Sequence, residues 1–516
     1  MRRLIALSPV AVFALPLALA AQTSPALKSA AATITEADVR KRIFIIADDS
    51  MQGRDTPSRG LDLTAQYVAD QFKKAGLKPG GMDGSWFVKY QVRRTRFDGA
   101  GSHVGFIAGG VDRDVAFTRD AFWRENEVPA GEVGGPAVVI GGALDPAAVG
   151  GLDLAGKTAI LILDYSKPRP ATVRPTLDAL IGRAAAVVIV TNRDTVQLAQ
   201  IIAQATAPRT DRVEPPVPGK KSAPVVEVHE RAILDLLTTN LIQPDAIRSR
   251  SDLFVEPLPA LKVMVHAREE VLSEALAPIT VGVLEGTDPV LKKEYVAYSA
   301  HMDHVGVAGV SGQCRAVGAD SICNGADDDG SGTVGVMELA EAFGQKGARP
   351  RRSMLFITVS GEEKGLWGSS YLVDHPPVPL AQVVADLNID MIGRNWKDTI
   401  VAIGREHSDL GTTLGRVNAA HPELHMTAID DRWPQENFYF RSDHYNFARK
   451  GVPILFFFNG THEDYHQVSD SPDKLDAEKE SRILQLLFYL GQEVANTTAR
   501  PVWNPESYKK IVEGAK

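Results

Sequence analysis

From about residue 294 onward, short apolar runs of strand length alternate with stretches of helical spacing. Tyr295–Ala300, Met354–Ser360, Val383–Ile389 and Pro453–Phe458 are dominated by aliphatic, β-branched and aromatic residues. Between the first two lies Gly332–Phe343, where Val336, Leu339, Ala340 and Phe343 share one helical face and Ser331 stands near the start. Strands apolar on both faces, separated by helices, predict a mostly parallel sheet covered on both sides. Nearer the beginning, Thr35 is a helix cap for Asp38–Ala47, with Glu36 and Asp38 favoured by the helix dipole. Leu61, Ala65, Val68, Ala69 and Phe72 predict an amphipathic helix over Leu61–Ala75, ended by Gly76.

The pattern changes over 131–260. Ala137–Ile140, Thr158–Leu163 and Ala186–Val190 are buried-strand runs separated by Gly, Pro and Asp, and few residues able to do chemistry cluster there. His229 stands alone and reads as structural, and Pro208–Pro224, rich in proline and basic residues, reads as an exposed loop. The expected organisation is a discontinuous main domain, 34–130 and 261–500, interrupted by an inserted domain at 131–260. Residues 21–33 read as a flexible lead-in. The fold class is thus α/β: a mixed, mostly parallel central sheet flanked by helices, with an inserted smaller β-rich α/β domain.

Composition narrows the function classes. Hydrophobic residues at 44% and charged residues at 23% are those of a globular chain, not a disordered one. The 56 basic and 64 acidic residues leave −8, and the basic ones are scattered, which argues against a nucleic-acid partner. Arg2 and Arg3 precede an apolar run from Leu4 to Ala20 closing on small residues, the pattern of a cleaved secretory signal peptide over 1–20. Pro9 and Pro16 make that run a poor membrane span. The expected product is exported, periplasmic or secreted, and free of the membrane after cleavage. Cys314 and Cys323, close together in a Gly- and Ser-rich stretch, are expected to form a disulfide in that compartment.

The chemistry-bearing residues follow the strands. The first strand ends in His301-Met302-Asp303-His304; Asn324 to Gly332 brings Asp327-Asp328-Asp329 to the start of a helix. The next strands end in Ser360-Gly361-Glu362-Glu363 and Asn388-Ile389-Asp390, and past the last lies His462-Glu463-Asp464-Tyr465-His466. Taken singly, an Asp-rich turn is a helix cap and paired glutamates are solvated. Taken together, imidazoles and carboxylates delivered to one rim of a sheet form a metal site, since zinc accepts nitrogen and oxygen donors. A calcium loop fits less well, because the alternating acidic ligands and the distal glutamate of that motif are missing.

SAHMDHVG, NGADDDGSG, TVSGEEKGLWGS, LNIDMIGR and DYHQVSDSPDKLD, in this order, resemble the co-catalytic two-zinc aminopeptidases, a family that includes glutamate carboxypeptidase, glutaminyl cyclase and the transferrin receptor ectodomain. The similarity covers roughly 34–130 and 265–495, and the inserted stretch resembles a protease-associated domain. The resemblance implies two zinc ions: His301 and Asp390 on one, Glu363 and His466 on the other, Asp328 bridging. It implies Glu362 as general base, Tyr465 as a donor to the oxyanion, and Asp303 as the partner that fixes His301. His304 is either a neighbour of the ligands or a surface residue. Peptide substrates follow from the family. The leading expectation is an exported zinc-dependent exopeptidase of aminopeptidase type. The alternatives are a carboxypeptidase or dipeptidase, since the stretch from Asp430 to His444 holds both acidic and basic residues, and a receptor-like binding module, a class that loses ligands this chain keeps. The aromatics of that stretch are either core or the walls of an apolar pocket.

Overall fold

Tyr295–His301, Ser353–Val359, Val383–Ile389 and Ile454–Phe457 are neighbouring parallel strands in the order Ile454, Val383, Tyr295, Ser353 across the sheet. The computed structural model describes residues 24–125, 128–214, 222–310 and 313–514, so the expected signal segment lies outside the described residues. All four strands are buried along their lengths but for the first residue of one, as their unbroken apolar runs predict. Parallel pairing is concentrated at the centre: Thr280–Leu284 runs antiparallel to the Ser353 strand on one side, and Thr399–Ile403 antiparallel to the Ile454 strand on the other. The sheet is therefore mixed, and parallel where its carboxyl ends converge.

The chain divides into two compact units, one holding the residues up to Tyr90 and from Leu276 onward, the other Gln91–Ala275. In the first, the helices Glu36–Ile46, Arg59–Lys74, Gly332–Gly344 and Ala477–Asn496 supply the apolar faces that cover the sheet. Thr35 caps the first of them by accepting from the Asp38 N–H at 3.1 Å. The expected lead-in is partly a helix instead: Ser24 caps Pro25–Ala31, and Ala30 and Ala31 are buried in the main core. Proline at the first turn and two small residues at the right spacing suffice to dock it.

The second unit is wider than the 131–260 read from the sequence. Its eight-stranded sheet includes His103–Ala108, paired antiparallel with Leu253–His266, and Ala121–Glu125, paired with Val225–His229. These strands are less continuously apolar than the central ones and so carry no unbroken apolar run in the sequence. Its centre is again parallel: Val133–Gly142, Thr158–Ile162, Ala186–Thr191 and Val225–His229. Pro208–Pro224 is not all loop, since Arg209–Arg212 is a strand antiparallel to Val92–Thr95. His229 is structural: Nε2 meets the Arg193 carbonyl at 2.9 Å and Nδ1 accepts from the Arg231 N–H. No helix among the described residues is long and apolar enough to cross a membrane.

Candidate metal centre and active site

Four strand ends of the first unit deliver the expected residues to one place. His301 closes its own strand, Glu362 and Glu363 follow Ser353–Val359, Asp390 follows Val383–Ile389, and His466 lies beyond Ile454–Phe457. The Asp328 carboxylate sits among them with one oxygen toward each side. Oδ1 is 3.3 Å from His301 Nε2, which is also 3.7 Å from Asp390 Oδ1. Oδ2 is 3.1 Å from His466 Nε2, which is also 3.1 Å from Glu363 Oε2. His301, Asp328, Glu363 and Asp390 are all deeply buried at the side chain, at 2%, 4%, 5% and 9% exposure.

Several of these atoms are chemically incomplete. Asp328 Oδ2, Glu363 Oε1 and His466 Nε2 are buried and make no hydrogen bond. Carboxylates gathered in a dry site repel one another and are tolerated only with compensating positive charge. A divalent ion with nitrogen and oxygen ligands meets that need, and the donor set suits zinc. Ligand atoms of His304, Asp328 and Glu363 lie within 4.8 Å of one another, as do those of His301, Asp329 and Asp390.

The Asp329 oxygens are engaged elsewhere. Oδ1 accepts from the Gly332 and Met391 N–H groups and Oδ2 from the His301 N–H, so this carboxylate ties together three segments that carry the site. Asp328 has no such commitment. Gly332 is required at that junction, because a Cβ there would stand 2.3 Å from the Ile389 carbonyl oxygen and 2.4 Å from Asp329 Oδ1. Gly325 is required for a second reason: its φ is +58°, and a Cβ would meet the His304 ring at 2.4 Å.

His304 is fully buried, which excludes the surface alternative; its Nδ1 lies 2.9 Å from Glu363 Oε1. Asp303 reaches His301 through its main-chain carbonyl, 3.1 Å from Nδ1, while its carboxylate is 3.8 Å away. The carboxylate instead accepts from Thr56 Oγ1 at 3.0 Å and from the Glu362 N–H at 3.3 Å, so it braces the Glu362 turn. Burial pushes the Asp303 carboxyl up to about 6. Burial also holds the Glu362 carboxyl well above the usual range, and the negative charges of Glu363, Asp443 and Asp390 add to it against the pull of His301. The His466 imidazole is raised to about 10: burial lowers it, but Asp328 and Glu363 outweigh that effect.

Three contributors escaped the sequence reading. Arg54, fully buried, donates to the carbonyls of Met302, Ile46, Asn324 and Gly325 at 2.6–3.0 Å and so clamps the two loops bearing His301 and Asp328. Asp470 accepts from the Asp327 and Asp328 N–H groups. Ser442 donates to Asp390 Oδ2 at 2.9 Å. Beside the carboxylates, Phe438, Phe456, Phe458 and Met391 form the apolar wall of a pocket that Tyr465 and Arg441 also line. Tyr439 is buried and Phe440 exposed, so the aromatic stretch is divided between core, pocket and surface. Cys314 and Cys323 are joined in a disulfide.

Comparison with known proteins agrees with this geometry. Residues 280–491 match the family described as Peptidase family M28. Leupeptin-inactivating enzyme 1 of Streptomyces exfoliatus is 40% identical over 159 residues, 30% of this chain and 34% of that protein. Aminopeptidase YwaD of Bacillus subtilis is 38% identical over 74 residues, 14% of this chain and 16% of that protein. The chain thus spans about a third or less of the length of these relatives. Among solved structures, an aminopeptidase from Aneurinibacillus sp. strain AM-1 aligns with a TM-score of 0.48 at 18% identity, covering 93% of this chain and 98% of that one. The family match falls on the segment that carries all five motifs, so residues 280–491 are those of a Peptidase family M28 domain.

Proposed function

We propose that the protein is an exported zinc-dependent aminopeptidase that removes N-terminal residues from peptides, with Glu362 as general base. The observation that carries this reading is the two-sided placement of Asp328 between His301 with Asp390 and His466 with Glu363. Two zinc ions would suit it: His301 and Asp390 would hold one, Glu363 and His466 the other, and Asp328 would serve both. When bound, zinc supplies Lewis acidity toward the scissile carbonyl and the attacking water.

The chain's own residues do the rest. Glu362 takes the proton of the attacking water and returns it to the leaving amine, a role suited to a carboxyl held above its usual range. Glu363, adjacent in sequence, is turned toward His304 and His466 and is committed to the ligand set. Tyr465, kept neutral by burial, donates to the developing oxyanion. Asp303 fixes the Glu362 turn by its carboxylate and the His301 ring by its carbonyl. The apolar wall of Phe438, Phe456, Phe458 and Met391 beside the ligand set suits the side chain of an N-terminal residue, which supports aminopeptidase direction. The signal segment 1–20, export, and a protease-associated identity for the Gln91–Ala275 unit belong to the same proposal. The Cys314–Cys323 disulfide supports an oxidising compartment.

The test is hydrolysis of leucine p-nitroanilide, with its N-acetylated form as control, alongside metal analysis. We expect close to two zinc ions per chain and cleavage of the free amine alone. Equal cleavage of the blocked substrate would reject the aminopeptidase direction, and full activity with one ion per chain would reject the paired site.

A further inference from the structure

We infer that Arg441 is a specificity-determining residue that binds a carboxylate of the substrate at the outer end of the pocket; this rests on the peptidase reading of the same site. The pocket is electrostatically polarised. Its inner end is formed by His301, Asp328, Glu362 and Asp390, and Arg441 is the one arginine or lysine lining it. Side-chain exposure orders them: 2% for His301 and 4% for Asp328, against 52% for Arg441. A cation at the rim of an otherwise acidic and aromatic pocket gives nothing to a neutral substrate and much to an anionic one.

The guanidinium is held in place and left chemically open. Its carbon lies 4.8 Å from the centre of the Phe438 ring, a cation–π contact that holds it beside the pocket wall. Its main-chain N–H donates to the Phe438 carbonyl at 3.0 Å, and the next residue, Ser442, is anchored on Asp390, so the position is tied to the site on both sides. Among the described residues its acidic neighbour is Glu436, 3.7 Å away with both partners half exposed, and it also reaches the Glu436 carbonyl at 3.5 Å. Such a surface pair is weak and yields to a better-aligned acceptor. A planar fork of donors matches a carboxylate bidentately. Among the residues lining the pocket no other arginine or lysine competes for that carboxylate.

That carboxylate has two possible sources: the side chain of an acidic first residue lying along the Phe438 wall, or the main-chain carboxylate of a dipeptide beyond the scissile bond. Two substrate pairs separate them. The first is the p-nitroanilide of glutamate against that of glutamine; the second is Leu-Ala against Leu-Ala-amide. Each is read as a ratio of kcat/KM within one protein, so a general change in rate cancels. In the unmodified enzyme one ratio should favour the acid about 10- to 100-fold, the worth of a hydrogen-bonded charge pair. It should fall toward one in Arg441→Met and to an intermediate value in Arg441→Lys. Titration calorimetry of glutamate and glutamine, and of the dipeptide and its amide, on Glu362→Gln protein repeats the comparison without turnover. Ratios near one in the unmodified enzyme, or a preference that survives in Arg441→Met, overturn the inference while leaving the peptidase standing. No turnover of any of these substrates by zinc-loaded enzyme removes the peptidase reading, and this inference with it.

Discussion

Each unit of the chain has four parallel strands at the centre of its sheet, and in each the strands or the loops after them bear buried polar residues; only the manner of their satisfaction differs. In the Gln91–Ala275 unit, Glu227 is wholly buried, yet Oε2 accepts from Arg124 at 2.8 Å and Tyr165 at 3.0 Å, and Oε1 accepts from Arg193 at 2.6 Å. The Arg193 guanidinium then stacks on the Tyr165 ring at 3.7 Å. In the other unit Asp328, Glu363 and His466 keep buried atoms with no hydrogen bond. A charge buried with its partners supplied is part of the architecture; several buried together without them, within reach of one another, have room for a shared cation. Polar residues at strand ends therefore do not define a site, and neither does a lone unpaired atom such as those of Glu480; what marks this rim is that unpaired atoms of three ligand-type side chains converge on one another.

The largest effect that would break this comparison is metal removal. Chelation should abolish hydrolysis and lower the melting temperature of the zinc-bearing unit, since a ligand that binds only the folded state stabilises it by mass action. The Glu227 cluster should not respond. Persistent activity after chelation, with metal content measured at zero, would show that the unfilled atoms are not ligands. Next in size is the division of labour at the paired glutamates. Glu362→Gln should lower turnover about 10²–10⁴-fold and keep its zinc. Glu363→Gln should lose one ion and regain part of its activity in excess zinc. If the metal contents of the two variants are the reverse, the roles are exchanged.

How far these roles were readable depends on what carries them. Proposed ligands carried by side chains beside strands of unbroken apolar character stood out: His301, Glu363 and Asp390 each follow or close such a run, and the strand ends bring them to one rim. Arg54 could not be read, because its four acceptors are main-chain carbonyls, two of them some 270 residues away, and its own neighbourhood, Gln52-Gly53-Arg54-Asp55, has the composition of an exposed turn. Asp329 and Asp470 are equally mute, since a carboxylate that staples amide groups leaves no periodic trace. Phe438, Tyr439 and Phe440 form one short helical turn, so three adjacent aromatics face three environments. The domain boundary at 131 was displaced for a related reason, the outer strands of the second unit being partly polar.

A third experiment tests the satisfied side of the comparison. Glu227→Ala leaves Arg124, Arg193 and Tyr165 without their shared acceptor, and removing one member of a buried ion cluster costs about 3–5 kcal/mol. Urea unfolding should show that loss while zinc content and the rate of the folded fraction stay unchanged. A zinc deficit in this variant would mean that the two units do not behave separately.

The smallest expected effect concerns the disulfide. Cys314 and Cys323 are nine residues apart, and closing so short a loop stabilises a fold by about 2–3 kcal/mol. Both sulfurs nevertheless sit in a small apolar cluster with Val305 and Val468, which adjoin His304 and lie two residues beyond His466. The bridge therefore buttresses the Glu363–His466 side of the site and has no counterpart on the His301–Asp390 side. Replacing both cysteines by serine should lower stability by that modest amount and weaken retention of one zinc ion, with the Glu362 step slowed by less than tenfold. Partial chelation followed by metal counting reads the asymmetry, as the variant should fall to one ion per chain at a chelator concentration the unmodified protein withstands. Equal loss of both ions would place the disulfide outside the site and leave it a loop staple alone.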